Sequence, residues 1–243
     1  MAKTIEELDY QQTPMGDLIL RRRTSVSLPG TMVYEVKLNG DFLMSSLVNT
    51  SEKALADLAL ELLRDRPCDV LVGGLGLGCT AQAALAYANV HHVHVVEYLE
   101  PVIAWHKNRL VPAADQLMDD PRCELIHGDF FEHVGEGPSH SELRYDAILL
   151  DIDHSPESLL DSRHGRFYAS DGLVHLTKHL RPGGVFALWS ADPPPGFLLD
   201  RLKQVFASVD SHVVEFNNPL LHEQDENTIV VAQLAPEDGG ARA

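Results

Sequence analysis

The sequence predicts a doubly wound α/β fold, with a mostly parallel sheet of seven strands and a small antiparallel β-unit before it. From Cys68 to Glu97 an apolar strand, a glycine-rich turn, a helix and a second strand ending in a carboxylate follow one another. Further apolar runs recur along the chain, separated by helical segments. The Asn39-Gly40 pair stands between two alternating segments, which is typical of a β-hairpin. Together these patterns predict the fold class.

The composition indicates one large domain with a small appendage. The chain has 243 residues, of which 44% are hydrophobic, enough for a globular core. Its formal net charge is −17, from 36 acidic and 19 basic side chains. Such a balance disfavours nucleic acids and anionic membranes as partners and suits cationic small molecules, although solubility alone also explains an acidic surface.

Cysteine usage and hydropathy bear on the compartment. Cys68, Cys79 and Cys123 are widely spaced and odd in number, which is typical of reduced thiols rather than a disulfide framework. No signal peptide and no apolar run of membrane length is visible in the sequence. We therefore expect a cytoplasmic protein.

The expected organisation has three parts. Residues 1–50 form an N-terminal arm and the small β-unit, residues 51–234 form the main domain, and residues 235–243 form a disordered tail. Within the first part, residues 1–15 are expected to be loosely ordered. Three arginines, Arg21 to Arg23, could bind a phosphate, but basic residues near a sheet edge more often guard that edge. The exposed β-unit is also where a homodimer could form.

The elements of the main domain follow from periodicity and from helix signals. Ser51 is expected to be the N-cap of a helix over 52–63. Later helices are predicted over 79–86, 100–110, from 130, and over 167–180 and 196–207. Strands are predicted over 70–72, 93–96, 124–127, 145–151, 185–190, 211–216 and 228–234, the last two closing the sheet with an antiparallel edge.

The glycine-rich turn predicts a nucleoside site. Gly74, Gly76 and Gly78 allow close approach of a ligand to the backbone, and a helix begins directly after them. Glu97 ends the next strand, where a carboxylate can accept both ribose hydroxyls. The alternate glycine spacing differs from the dinucleotide fingerprint and so favours a single nucleoside, and no phosphate-binding GxxxxGK[ST] loop occurs.

Acidic residues follow the third and fourth predicted strands. Asp129 could accept from the exocyclic amine of adenine or cap the short helix that follows. Asp151, Asp153 and His154 come at the end of the fourth strand, where either carboxylate or the imidazole could take a proton from an amine. A simple turn before Pro156 would also explain the presence of Asp151, Asp153 and His154. Because ligands bind beyond the carboxyl ends of the strands, we expect these groups at one mouth. The other histidines lack metal-ligand spacing, so no metal site is predicted.

Several motifs resemble the class I S-adenosylmethionine-dependent methyltransferase fold, with its Rossmann-like sheet, and within it the spermidine synthase-like family. They are Leu71–Gly78, Val95-Val96-Glu97, His127–Glu132, Tyr145–Pro156, Phe167-Tyr168 and Leu180–Val185. The resemblance implies that Glu97 binds ribose and Asp129 adenine, and that Asp151, or Asp153 in the other alignment, deprotonates the attacking amine. The family's glycine loop usually contains an Asp that holds the amino end of the sulfonium donor, whereas here Leu75 and Leu77 stand between the glycines.

The resemblance implies a transferase that moves an alkyl group from an adenosyl sulfonium to an amine. The first interpretation is a spermidine synthase-like aminopropyltransferase of polyamine biosynthesis, which uses decarboxylated S-adenosylmethionine. The second is a methyltransferase that uses S-adenosylmethionine and acts on a small molecule. A nucleoside-binding module without catalysis is the third, and the acidic stretch at Asp151 argues against it.

Overall fold

A computed structural model describes residues 5–25, 28–135, 142–152, 165–219 and 223–237. The strands in chain order are β1 (Ile5–Thr13), β2 (Gly16–Thr24), β3 (Met32–Leu38), β4 (Asp41–Ser45), β5 (Cys68–Gly73), β6 (Val90–Glu97), β7 (Cys123–His127), β8 (Tyr145–Leu150), β9 (Leu180–Ser190), β10 (Ser208–Asn218) and β11 (Glu223–Gln233). The helices are α1 (Thr50–Glu61), α2 (Cys79–Leu85), α3 (Glu100–Lys107), α4 (Ala114–Asp119), α5 (Phe130–His133), α6 (Ser170–Lys178) and α7 (Gly196–Val205).

The main sheet has seven strands in the order β10-β11-β9-β8-β5-β6-β7. The pairs from β9 to β7 are parallel, while β11 pairs antiparallel with both β9 and β10. The predicted seven-stranded, mostly parallel sheet with an antiparallel edge is therefore confirmed. β8 is buried at every position, as expected for a strand covered on both faces.

The chain reverses its direction of winding beside β5. It runs outward through β6 to β7 and then returns to pair β8 on the other side of β5. The crevice between the ends of β5 and β8 is thus the topological switch point, where ligands bind in open α/β sheets. The Asp151 N–H donates to the Gly73 carbonyl at 2.8 Å and closes the two strands at this point.

A separate antiparallel sheet of order β1-β2-β3-β4 precedes the main one. The expected hairpin turn is present, with positive φ at both Asn39 (53°) and Gly40 (87°). For the part of residues 1–15 that the structure describes, the expectation of a loosely ordered arm is wrong, because β1 pairs with β2 from Ile5 to Thr13. Its mostly polar sequence shows no regular alternation, so the strand forms through its partner rather than through its own pattern.

The three arginines of β2 are held by carboxylates. Glu35 is buried, and its two oxygens accept from Arg21 Nε at 2.7 Å and from Arg23 Nε at 2.6 Å. Arg22 pairs with the exposed Glu6. These ion pairs join β2 to β1 and β3. Because β2 is an inner strand of its sheet, the expectation that the arginines guard a sheet edge is wrong.

The small sheet packs on the main domain through a common core. Leu18, Leu20 and Val36 are buried in the same cluster as residues of β5 and β6. The Trp105 Nε1–H of α3 donates to Asp9 Oδ2 of β1 at 2.6 Å. The boundary at residue 50 between the two parts stays a prediction, and residues 238–243 of the expected tail lie outside the described ranges.

Two local expectations differ from the structure. Ser51 lies inside α1, whose N-cap is Asn49, and its hydroxyl is buried in contacts with other elements. Helix α4, after Pro112, has no counterpart in the sequence prediction, because six residues are too few to show a helical period. None of the helices in the described ranges is long and apolar enough to cross a membrane.

Candidate functional site

A cavity of about 860 Å³ lies beyond the carboxyl ends of the parallel strands. Its floor comes from the glycine loop and from the ends of β6, β7 and β8, and its roof comes from the small sheet. Five of the predicted site residues line it: Gly74, Gly76, Glu97, Asp129 and Asp151. The topology thus brings together residues that are distant in sequence, as the positions at the strand ends predicted.

The glycine loop needs glycine at two cavity positions. Gly74 has φ of +94°, and a Cβ there would lie 2.1 Å from the carbonyl oxygen of Asp151. Gly76 has φ of +48°, and a Cβ there would lie 2.9 Å from Met44 Sδ of the roof. Side chains at either position would strain the backbone and fill the space beside the cavity.

Gly78 has a different place from the one predicted. It is the N-cap of α2 with φ of +87°, and a Cβ there would meet His106 Cε1 and Leu117 Cδ1, both at 2.8 Å. It faces the packing between α2, α3 and α4 rather than the cavity. The turn and this close approach both require glycine here, and the binding role expected for Gly78 stays a prediction.

Glu97 holds the glycine loop as well as facing the cavity. Its Oε2 accepts from the Leu75 N–H at 2.9 Å and its Oε1 from the Leu99 N–H at 2.7 Å. Burial raises the pKa of its carboxyl, while the N–H groups of Leu99 and Leu75 counter that shift. The N–H groups of Gly76 and Tyr98 counter the shift as well, so backbone donors surround this carboxylate, and its binding of ribose hydroxyls stays a prediction.

Asp129 caps helix α5, one of the two roles considered for it. Its Oδ1 accepts from the Phe131 N–H at 2.8 Å. The same residue lines the cavity beside Phe130 and Phe131. A carboxylate held by the helix it caps is well placed to accept from a ligand amine, and that binding role stays a prediction.

Asp151 sits at the switch point with its side chain fixed from α2. The Thr80 hydroxyl lies 2.5 Å from Asp151 Oδ2 and donates to it. Thr80 is buried, and its oxygen is also 3.2 Å from the Glu52 carbonyl oxygen. The other predicted catalytic residues, Asp153 and His154, lie outside the described residues.

Sequence reasoning missed the far wall of the cavity. Ser51 Oγ lies 2.9 Å from Asn227 Oδ1 of β11 and accepts from Trp189 Nε1 of β9 at 3.0 Å. Glu52 and Asp225 line the same region. The sequence signal that could have indicated this wall was Glu52, a carboxylate in the first turn of α1. Asp225 and Asn227 reach the mouth only because the terminal hairpin pairs back onto β9.

Known proteins resemble this arrangement in both sequence and structure. The model of the spermine/spermidine synthase domain matches residues 49–195, more than half of the chain. The chain belongs to the spermine/spermidine synthase family. The resemblance stated from the motifs is thereby confirmed.

Curated relatives of this synthase-family chain match somewhat more than half of its length. Polyamine aminopropyltransferase 2 of Pseudomonas aeruginosa is 32% identical over 161 residues, which are 62% of this chain and 43% of the relative. Polyamine aminopropyltransferase of Sulfolobus acidocaldarius is 30% identical over 60% of this chain and 48% of the relative. The chain therefore spans less than half the length of these two relatives.

Solved structures show the same fold. Spermidine synthase from Thermotoga maritima matches with a TM-score of 0.71 at 18% identity, over 93% of this chain and 72% of that one. Human methyltransferase-like protein 13, solved with SAH, matches with a TM-score of 0.54 at 24% identity. The match covers 78% of this chain and 84% of that protein's chain. Both support the class I S-adenosylmethionine-dependent methyltransferase fold predicted from the sequence.

The ionisable side chains that line this family member's cavity are strongly biased to one sign. The carboxylates are Glu52, Glu97, Asp129, Asp151 and Asp225. Within the described residues, the lining contains no lysine, arginine or histidine. A cleft lined by charges of one sign focuses the electrostatic field and attracts ligands of the opposite charge. No group of three or more potential metal ligands forms in the described ranges.

Proposed function

We propose that the protein transfers an aminopropyl group from decarboxylated S-adenosylmethionine to the amine of a small cationic acceptor. The observation that carries this proposal is the cavity lined by five carboxylates and, over the described residues, by no basic side chain. Both substrates are cations at neutral pH, one a sulfonium that also carries an ammonium and the other an alkylammonium. The names of the curated relatives, polyamine aminopropyltransferases, support the same reaction.

The chemistry is an in-line displacement at carbon. The acceptor amine donates its lone pair to the methylene carbon next to the sulfonium, the carbon–sulfur bond breaks, and methylthioadenosine leaves with the bonding electrons. An ammonium has no lone pair, so it must lose a proton first. Asp151 is the proposed proton acceptor, because it faces the switch point and Thr80 fixes its Oδ2. Asp153 and His154 remain the alternative bases.

The protein's main contribution is positioning. Glu97 and the glycine loop hold the nucleoside end, with the ribose at Glu97 and the adenine at Asp129. Glu52 and Asp225, across the cavity, would hold the cationic ends of the substrates. The loop itself carries buried leucines, Leu75 and Leu77, where the family usually has an acid, so these carboxylates would replace its charge.

The donor's carboxylate separates this function from the second candidate, methyl transfer to a small molecule. S-adenosylmethionine carries an α-carboxylate that would meet like charge here, whereas the decarboxylated donor does not. The leucines of the glycine loop are the observation that keeps methyl transfer as the second candidate, because they leave the donor's amino end without the usual acid. Calorimetric titration with both donors tests the point.

The activity assay uses purified protein, each donor and a panel of mono-, di- and triamines. We expect release of methylthioadenosine with decarboxylated donor and a diamine or longer amine. Release of S-adenosylhomocysteine instead would favour methyl transfer. Binding of nucleoside without turnover under any of these pairings would leave the non-catalytic module as the function.

The cellular setting follows the same proposal. Burial raises the pKa of Cys68, Cys79 and Cys123 to about 11, so these free cysteines are protonated, weakly reactive thiols. Reduced thiols and polyamine chemistry both suit the cytoplasm. A homodimer through the small sheet remains a prediction, with Ile5, Tyr10 and Met32 exposed on that sheet.

A further inference from the structure

A buried histidine of α3 also holds the glycine loop. His106, in the last turn of α3, has no solvent-exposed surface. Its Nε2 lies 3.0 Å from the Gly76 carbonyl oxygen. A carbonyl only accepts, so Nε2 must carry the hydrogen and donate it. The neutral ring then has Nδ1 as a bare acceptor, which is buried and has no hydrogen-bond partner in the described ranges.

The ring touches the loop at a second point. Its Cε1 occupies the space next to Gly78, where an added Cβ would come within 2.8 Å. The side chains packed around that space are Ala113 and Leu117. His106 therefore contacts the loop by a hydrogen bond at one glycine and by close packing at another.

The bond fixes the orientation of a peptide group that borders the cavity. In a trans peptide the C=O and the N–H point in opposite directions. Because the Gly76 carbonyl faces His106, the Leu77 N–H of the same peptide faces away from α3. Glu97 fixes the adjoining part of the loop through Leu75 N–H. The two side chains together hold two adjacent residues of the loop, Leu75 and Gly76.

We propose that neutral His106 is a positioning residue for the nucleoside donor, and that donor binding weakens when the ring is protonated. A proton on Nδ1 would lack an acceptor and would put a charge in an apolar packing site, so the protonated ring must leave this position and release the Gly76 carbonyl. The proposal rests on the proposed function only in naming the ligand of the loop as an adenosyl donor.

The electrostatic surroundings of the ring are simple. Burial lowers its pKa, and the bond to Gly76 opposes that shift. No charged group of the described residues contributes: the neighbours from the loop and from α4 are Gly78, Ala113 and Leu117, and Lys107, Asp115 and Asp119 on α3 and α4 are exposed. The ring is therefore neutral at pH 7.5. It becomes charged only when the pH falls below about 6.5, the ordinary pKa of a histidine side chain.

The test is calorimetric titration with methylthioadenosine, a neutral nucleoside, at pH values from 7.5 down to 5. His106→Leu keeps apolar bulk and removes the donor, so we expect roughly 10–100-fold weaker binding at pH 7.5. His106→Gln places an amide N–H at a similar reach and does not titrate. We expect it to bind within about threefold of wild type at pH 7.5. We also expect its affinity to fall less than that of wild type on the acid side, because the contribution of His106 is lost while that of Glu97 stays.

The control is His175→Gln on α6, which should bind and titrate like wild type. Equal affinities and equal pH profiles in wild type, His106→Leu and His106→Gln would overturn the positioning role. If His106→Leu unfolds, as judged by circular dichroism, the comparison of pH profiles between wild type and His106→Gln decides alone. Failure of wild type to bind methylthioadenosine at any pH would instead refute the proposed function, so the two failures are distinguishable.

Discussion

Asp151 joins two strands through its backbone, while its side chain is the proposed proton acceptor. Its backbone N–H closes β5 to β8 through Gly73, and its carboxylate is held by Thr80. The role of the carboxylate is thus separable from that of the backbone, which a side-chain substitution leaves in place.

Asp151→Asn should lower turnover by roughly 10²–10⁴-fold, the span of a positioned acid–base group, because an amide cannot take the proton of the acceptor ammonium. Methylthioadenosine affinity should stay nearly unchanged. Release of this nucleoside measures turnover, and Asp171→Asn, on the exposed first turn of α6, is the matched control. Full activity in Asp151→Asn with loss in Asp153→Asn would move the role two residues along, and full activity in both would refute the carboxylate mechanism.

Glu97→Ala should affect both binding and folding. The substitution removes the acceptor of two buried N–H groups, those of Leu75 and Leu99, so the free energy of unfolding should fall by about 1–3 kcal/mol. Loss of hydrogen bonds to ribose should weaken nucleoside binding by a similar amount. Urea unfolding and titration with methylthioadenosine measure the two effects. Unchanged affinity in a folded variant would show that the ribose assignment is wrong.

At the scale of elements, the conformation of the glycine loop is constrained by the protein atoms packed against it. The added Cβ at Gly74 would overlap the Asp151 carbonyl, which cannot move without parting β5 from β8, whereas at Gly76 it would meet the end of the flexible Met44 side chain. We therefore expect Gly74→Ala to cost more than about 2 kcal/mol of unfolding free energy and Gly76→Ala about 1–2 kcal/mol.

Gly30→Ala is the matched control for this pair of variants. Gly30 also has positive φ, +85°, but nothing lies within 4 Å of its added Cβ. Its substitution measures the conformational cost alone. Urea unfolding of the three variants gives the comparison. Equal losses at Gly74 and Gly30 would mean that close approach to β8 adds nothing.

The elements also show where sequence reasoning works. Gly74, Gly76, Glu97, Asp129 and Asp151 could be placed together because parallel strands all end at one edge of the sheet, so order along the chain predicts proximity. Most helix ends, by contrast, differ by a few residues from their predicted limits, since fraying and caps depend on local contacts.

The far wall and the loop anchors could not be predicted in the same way. Asp225 and Asn227 depend on the register by which β11 pairs with β9. His106 resembles any histidine in an amphipathic helix until α3 is packed against the glycine loop. Ser51 is a residue type typical of an N-cap, but its hydroxyl instead donates a hydrogen bond to Asn227, which is 176 residues away in the sequence. Tertiary packing, which periodicity does not encode, decides these cases.

At the scale of the whole molecule, the charge of the chain and the charge of the cavity have the same sign. The net charge of −17 surrounds a mouth whose described ionisable lining is acidic throughout. Long-range attraction should therefore raise the local concentration of a cationic acceptor, and the effect should fall as salt shortens the Debye length from about 10 Å at 0.1 M towards 3 Å at 1 M.

This attraction predicts a specific dependence on salt. The KM for a diamine should rise roughly 3–10-fold between low and 0.5 M sodium chloride, and the rise should be steeper for a triamine than for a monoamine, because each additional positive charge is attracted separately. Methylthioadenosine carries no net charge, so its affinity should change by less than about twofold over the same range. Initial rates at saturating donor give the KM values, and titration gives the nucleoside affinity. A salt effect of equal size on the neutral nucleoside would indicate a change in the protein itself, and a KM that ignores both salt and acceptor charge would mean that shape, rather than the acidic field, selects the acceptor.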